Sequence, residues 1–177
     1  MARQAQIGDA VRRLESAVER RAGFGHSTTV SVTTVVDGLR SRTEEGSWCL
    51  ETDLPRGLGG TDAAPTPSVL ARAALGSCMA MGYVLRAARQ GVELTSVSVS
   101  VETDSELAGM LICGAEAPAG FREIRCHVEV ESAADHDGVR KILDEADELS
   151  PILDLVGRAN PVTRTTCIRS STSPAAP

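Results

Sequence analysis

The longest apolar pattern in the chain spans residues 67–90. Val69, Leu70, Ala73, Ala74, Leu75, Cys78, Met79, Met81, Val84, Leu85 and Ala88 cover most of a helical wheel, which predicts a helix buried on several sides. Thr66 is placed to cap its start, Pro67 suits the first helical position, and Gly91 stands where a left-handed C-terminal cap belongs. At ~1.5 Å per residue this helix is about 36 Å long, enough to cross a small domain. Arg72, Arg86 and Arg89 interrupt it, so it reads as a protein spine and not as a membrane span.

The pattern around the spine is mixed. Ile7, Val11, Leu14 and Val18 form the stripe of an amphipathic helix over residues 7–22, closed by Gly23 and Gly25. Val30, Val32, Thr34 and Val36 then alternate with Thr29, Ser31, Thr33 and Val35, a strand pattern. Asp37-Gly38 marks a hairpin turn into a returning strand at 39–43. Glu45-Gly46 marks a second turn into a strand at 47–53, with Trp48 and Leu50. Residues 54–66 form a Gly- and Pro-rich loop.

Beyond the spine, Val97, Val99 and Val101 alternate with serines in a strand at 94–102. An irregular excursion follows at 104–120, in which Met110 to Cys113 could order against the body. A strand at 121–131 turns Ile124, Cys126, Val128 and Val130 inward, and Arg125, His127, Glu129 and Glu131 outward. Val139, Ile142, Leu143, Ala146 and Leu149 mark a helix that Ser150-Pro151 breaks, and a last short strand is expected at 162–168. The sum is an α+β fold with sheet packed on a long central helix. Residues 1–25 are an N-terminal helical extension, 26–169 the domain, and 170–177 a polar tail expected to be disordered.

Composition narrows the function. Aromatic residues make up 2% and the net charge is −6, which disfavours nucleic acid and anionic membranes as partners. The five cysteines, Cys49, Cys78, Cys113, Cys126 and Cys167, are odd in number and contain no CxxC pair, so neither a zinc site nor a disulfide framework is expected. His26, His127 and His136 show no ligand spacing, and no cofactor or metal is expected. With no signal-like N-terminus, the expected location is a reducing cytoplasm.

Cys78 is the one reactive group of the spine. On local sequence, a cysteine on an apolar helix is more often an inert small hydrophobe than a nucleophile. It lies too far inside the helix for the N-terminal dipole to help. Reactivity needs a cation from elsewhere, and Arg40, Arg42 and Arg56 are available sources. Cys49, Cys126 and Cys167 fall in strands and are expected to be packed, whereas Cys113 lies in the irregular segment. The acidic run Asp144, Glu145, Asp147 and Glu148 reads as a solvated helix face. Gly57-Leu58-Gly59-Gly60 reads as a turn and not a phosphate cradle.

The segment Gly59-Gly60-Thr61-Asp62-Ala63-Ala64-Pro65-Thr66-Pro67, with Cys78 eleven residues after Pro67, resembles the signature of the OsmC/Ohr family. The resemblance covers roughly residues 26–168 and leaves the first helix outside. It implies an OsmC-like fold, an intertwined homodimer, and reduction of organic hydroperoxides. In that family a first cysteine attacks the peroxide and becomes a sulfenic acid, and a second, in a Cys-Pro step, resolves it. The resemblance makes Cys78 the attacking thiol. Ser150-Pro151 takes the resolver's place, so an external thiol reductant is implied. The position of the family's glutamate is Ser68. Arg42 is the arginine assigned to activation, which makes Cys78, Arg42 and Ser150 the expected site. The alternative is a non-catalytic OsmC-like protein that binds a small hydrophobic ligand in its dimer cleft.

Overall fold

A computed structural model describes residues 2–169. Helix α1 (Ala2–Arg20) precedes a meander of β1 (Val32–Asp37), β2 (Arg40–Glu45) and β3 (Trp48–Thr52). A 3-10 turn (Arg56–Leu58) leads to α2 (Pro67–Arg89), β4 (Ser96–Asp104), α3 (Leu107–Leu111), β5 (Glu123–Glu131), α4 (His136–Glu148) and α5 (Pro151–Gly157). The strands make two separate antiparallel sheets, β1-β2-β3 and β4-β5. The fold is thus α+β with a long central helix.

Helix α2 has the ends that its sequence calls for. The Thr66 hydroxyl accepts from Val69 N–H, and Pro67 is the first helical residue. At the other end Gly91 adopts φ 74°. Gly91 N–H then bonds Ala88 O and Val92 N–H bonds Ala87 O, the paired closure of a Schellman motif. Leu75, Met79 and Tyr83 recur every fourth residue and form, with Ala146 of α4, the buried core cluster. Val97, Val99 and Val101 of β4, Ile124 and Val128 of β5 and Leu153 of α5 pack against that stripe. Gly76 brings the helix close to β4: a Cβ there would come within 3.3 Å of Val101. The Tyr83 hydroxyl donates to Asp147 at 2.8 Å and ties α2 to α4. Burial and that carboxylate raise the phenol's pKa well above its usual value.

Helix α1 begins earlier than the pattern predicts and docks on the C-terminal half of α2. At Gly8 a Cβ would stand 2.3 Å from Ala88 O, so glycine is required for the approach. Carbonyls at the end of α2 lack helical donors. Arg12 donates to one of them, Arg89 O, at 2.9 Å, and Gln4 donates to Val92 O, just past the helix, at 2.8 Å. Glu15 holds the Arg89 side chain at 2.6 Å.

The Gly-Gly loop before α2 is organised around one carboxylate. Asp53 is 1% exposed. It accepts from the N–H groups of Leu54, Thr61 and Ala63 and from the Thr61 hydroxyl. Gly60 passes so close to Leu54 O that a Cβ would lie 1.9 Å from it. Asp62 follows in the left-handed region at φ 59°, which aspartate tolerates better than most residues.

Several expectations fail within the single subunit. The strand expected at 162–168 does not form: it finds no neighbouring strand, and Val162 and Ile168 are 92% and 91% exposed. Cys49, Cys126 and Cys167 are exposed and not packed, because β3 lies uncovered, β5 faces little at Cys126, and Cys167 lies in that unpaired stretch. Part of the 104–120 excursion is helical, yet Met110, Leu111 and Ile112 remain exposed, so this segment is not held against the body. The meander is covered on neither face, leaving Val32, Val35, Leu50 and Trp48 in solvent. The tail expected to be disordered lies outside the described residues.

The surface area measures this incompleteness. The chain exposes 13635 Å², whereas a compact monomer of its mass exposes about 8,200 Å². Residues 1 and 170–177, taken as fully extended chain, account for at most about 1,200 Å² of the difference.

One prediction follows from the Asp53 lock. Its carboxyl is lowered from 3.8 to about 2, first by the Thr61 hydroxyl and then by Ala63 N–H, against the opposing effect of burial. A depressed carboxyl contributes stability above its unfolded value of about 4, and that stability is lost as pH falls through the folded value. Melting temperature should therefore drop between about pH 4 and 2. Asp53→Asn should melt lower at neutral pH and lose part of the acid slope. An unchanged slope in circular-dichroism melts of the variant would refute the assignment.

Candidate functional site

Cys78 projects from the middle of α2, on the stripe next to the core stripe. Its residue is half-buried, and its Sγ lies 3.5 Å from Ser150 Oγ. Ser150 is 4% exposed and is the N-cap of α5, where its hydroxyl accepts from Leu153 N–H at 3.4 Å. Capping explains why a polar residue is tolerated there. It also fixes the rotamer that presents the hydroxyl to the sulfur. A serine in this position can donate to a thiolate or accept from a thiol. It cannot form a disulfide.

Beside this pair lies a cavity of about 440 Å³ lined by Val11, Cys78, Met81, Gly82, Leu85, Arg86, Arg89, Ala146, Leu149, Ser150 and Pro151, within the size range of small-molecule sites. Its walls come from α1, α2, α4 and the start of α5. Gly82 stands one turn after Cys78, and a Cβ there would meet nothing within 4 Å. A helix-interior glycine costs ~1 kcal/mol relative to alanine; here it leaves the floor of the cavity open.

The expected residues are thus brought together only in part. Cys78 and Ser150 are in contact. Arg42 lies on the meander and is not among the residues lining the cavity. It pairs with Glu51 across β3 at 3.0 Å, and this bond above all, with Cys49 nearby, raises its pKa and keeps it charged. The cavity's own cations, Arg86 and Arg89, register in the sequence only as interruptions of an apolar run. Their signal is the spacing Cys78, Gly82, Arg86, which puts a thiol, a gap and a cation on one helical stripe. The contribution of Val11 also escapes sequence reasoning, because a helix outside the family pattern carries it.

The other thiols are differently placed. Cys126 is exposed as a residue, yet desolvation and then Asp147 push its thiol pKa up, which disfavours the nucleophilic thiolate. Cys49, Cys113 and Cys167 are exposed and free. Among the described residues no three His, Cys, Asp or Glu side chains are grouped to hold a metal ion.

Comparison with known proteins places the chain in a family and supports its fold. The pattern of the OsmC-like protein family matches residues 60–165, and the chain belongs to that family. An OsmC-like protein from Mycoplasma pneumoniae superposes with a TM-score of 0.62 at 14% identity, covering 74% of this chain and 88% of that one. An organic hydroperoxide resistance protein OsmC from Legionella pneumophila gives 0.56 at 21% identity, over 73% and 89% of the two chains. A putative organic hydroperoxide resistance protein from Vibrio cholerae, with captopril bound in one of its active sites, gives 0.53 at 18% identity, over 77% and 90%. These likenesses establish the fold. No curated protein sequence matches the chain.

The 3.5 Å contact between Cys78 and Ser150 makes a direct prediction. In Ser150→Cys, mild oxidation should join the two thiols with little backbone movement. Peptide mapping should find Cys78 bridged to the introduced thiol in most molecules, at the expense of mixed products with the exposed cysteines. Failure to bridge, in a variant that melts like the parent, would show that the sulfur does not sit where this geometry puts it.

Proposed function

We propose that this protein is a thiol-dependent organic hydroperoxide reductase with Cys78 as its single redox centre. The observation that carries the reading is the half-buried Cys78 sulfur in an apolar cavity, bonded to the hydroxyl of Ser150. Apolar walls favour organic peroxides over hydrogen peroxide. The Cys78 thiolate attacks the peroxide oxygen, the O–O bond breaks, and the leaving alkoxide takes a proton to become an alcohol. The sulfur keeps the hydroxyl as a sulfenic acid. With serine at position 150 no internal disulfide to that position follows. An external thiol condenses with the sulfenic acid, releasing water, and a second thiol frees Cys78 as a disulfide leaves. Five free thiols suit a reducing compartment such as the cytoplasm. Hydroperoxide resistance in the names of the Legionella and Vibrio relatives supports this reading.

The working unit is proposed to be an intertwined homodimer. Only 17% of the most apolar window of α2 is buried within the subunit. By length and composition alone that helix would pass for a membrane span. A second copy that covers it, the meander and the unpaired 162–168 stretch removes the excess surface. Arg42 is proposed to serve from the meander of that second copy. The second reading, a binder of a small hydrophobic ligand, is favoured by Ser68 and Ser150, which stand where the family places reactive partners.

Two measurements test these proposals. Stoichiometric cumene hydroperoxide should yield its alcohol and a sulfenic acid, or its overoxidation products, at Cys78 by mass spectrometry. Cys78→Ser should abolish alcohol formation, and Arg42→Gln should slow it about tenfold or more, a rise of ~1.4 kcal/mol in the barrier. Unmodified Cys78 beside oxidised surface thiols would leave the ligand-binding reading. Sedimentation at micromolar concentration should show a dimer, with an interface in the obligate range above about 2,000 Å²; a stable folded monomer would overturn the assembly.

A further inference from the structure

We propose that Tyr83 is a positioning residue for the Cys78 site: its buried hydroxyl, bonded to Asp147, holds the corner between α4 and α5 so that residue 150 stays against the Cys78 sulfur. This rests on the reading of Cys78 as the reactive centre and adds a residue to that site. Tyr83 is the only tyrosine of the chain and is 1% exposed. Filling the core needs its ring alone, which phenylalanine also supplies. The hydroxyl is a further polar group to bury, and it is met by a carboxylate, Asp147 Oδ1, at 2.8 Å. A hydrogen bond to an ionised partner is roughly twice as strong as one between neutral groups. Burial first, and then Asp147, raises the phenol's pKa, so the hydroxyl keeps its proton and remains a donor.

The corner needs such a hold. Helix α4 ends at Glu148 and α5 begins at Pro151, with only Leu149 and Ser150 between them. Leu149 is 63% exposed, Ile152 and Leu153 are half-buried, and among the described residues α5 has none that is fully buried. Ser150 is joined to α4 by its N–H, which donates to Asp147 O at 3.1 Å. The residue that takes the Tyr83 hydroxyl on its side chain therefore takes Ser150 on its carbonyl. Three residues after Asp147, the Ser150 hydroxyl meets Cys78 Sγ at 3.5 Å. Sulfur is a weak hydrogen-bonding partner, so that contact does not fix the corner by itself. Tyr83 follows Cys78 by five residues on α2, and helical side chains lean toward the N-terminus, which brings its hydroxyl back toward the level of the sulfur. The chain from Tyr83 through Asp147 and Ser150 to Cys78 thus closes on the helix where it starts.

The test uses the full chain with Ser150→Cys and takes the bridge from Cys78 to the introduced thiol as its gauge. The bridge is equilibrated against reduced and oxidised glutathione, and its population is read by peptide mapping, which gives an equilibrium constant for closure. Adding Tyr83→Phe should lower that constant about fivefold or more. Asp147→Ala should lower it by a similar factor, and the two changes together no further than either alone, because they cut one chain of contacts. Asp147→Asn keeps an acceptor for the hydroxyl and should restore most of the loss. Asp53→Asn weakens the loop before α2 and should leave the constant unchanged, which separates positioning from general stability. A constant unmoved by Tyr83→Phe, an equal fall in Asp53→Asn, additive losses, or no bridge at all in the Ser150→Cys parent would overturn the proposal. Should Tyr83→Phe not fold, equal constants in Asp147→Ala and Asp147→Asn overturn it instead. No peroxide is used, so the outcome is separable from the reductase reading. A bridge that depends on Tyr83, in a chain whose native form reduces no hydroperoxide, leaves the positioning role and removes the reductase; reduction with an unmoved constant does the reverse.

Discussion

Everything in this molecule is arranged by the need to bury one helix. An apolar segment as long as α2 cannot be covered by a single neighbour, and each of its stripes is assigned a different one. The Leu75, Met79 and Tyr83 stripe goes to the β4-β5 sheet and α4. The end beyond Arg86 goes to α1. The stripe carrying Cys78 is covered only in part, and the incompletely filled space is the cavity. The site is thus what remains after packing: a place where the spine's demand for cover is met by a serine cap, a glycine and a pair of arginines instead of by leucines.

The same constraint explains why the fold is so readable. Caps at Thr66 and Gly91, the valine–serine alternation of β4 and the turns at Asp37-Gly38 and Glu45-Gly46 are local chemistry, and each element appears within a few residues of its expected position. The Gly-Gly motif is recognisable as a pattern, but its reason is visible only in three dimensions. The reason is Asp53, which gathers the loop's donors, and Gly60, which must pass Leu54 without a side chain. A buried acceptor at one end of a loop cannot be inferred from glycines at the other.

What is not legible depends on contacts distant in sequence or beyond the subunit. The strand expected at 162–168 has suitable residues but no neighbour, so its propensity goes unused. The cysteines expected in packed strands are exposed for the same reason: alternation tells which face a residue shares, not whether that face is covered. At the site, the Cys78 and Ser150 positions follow from the family pattern. The place of Arg86 in the cavity wall does not, because it depends on α1, α4 and α5 closing around that stripe of α2.

The placement of the thiols has a practical consequence. Four cysteines face solvent, and the fifth is half-covered. In air, or with any bulky thiol reagent, the sulfurs that stay exposed outside the proposed dimer contact, Cys113 above all, will compete with Cys78. Crosslinked ladders on non-reducing gels, and a thiol titre that falls with age, would then describe storage and not turnover. Whatever chemistry Cys78 performs will be seen clearly only in a chain whose other sulfurs have been silenced, or through a readout that identifies the peptide on which the oxygen lands.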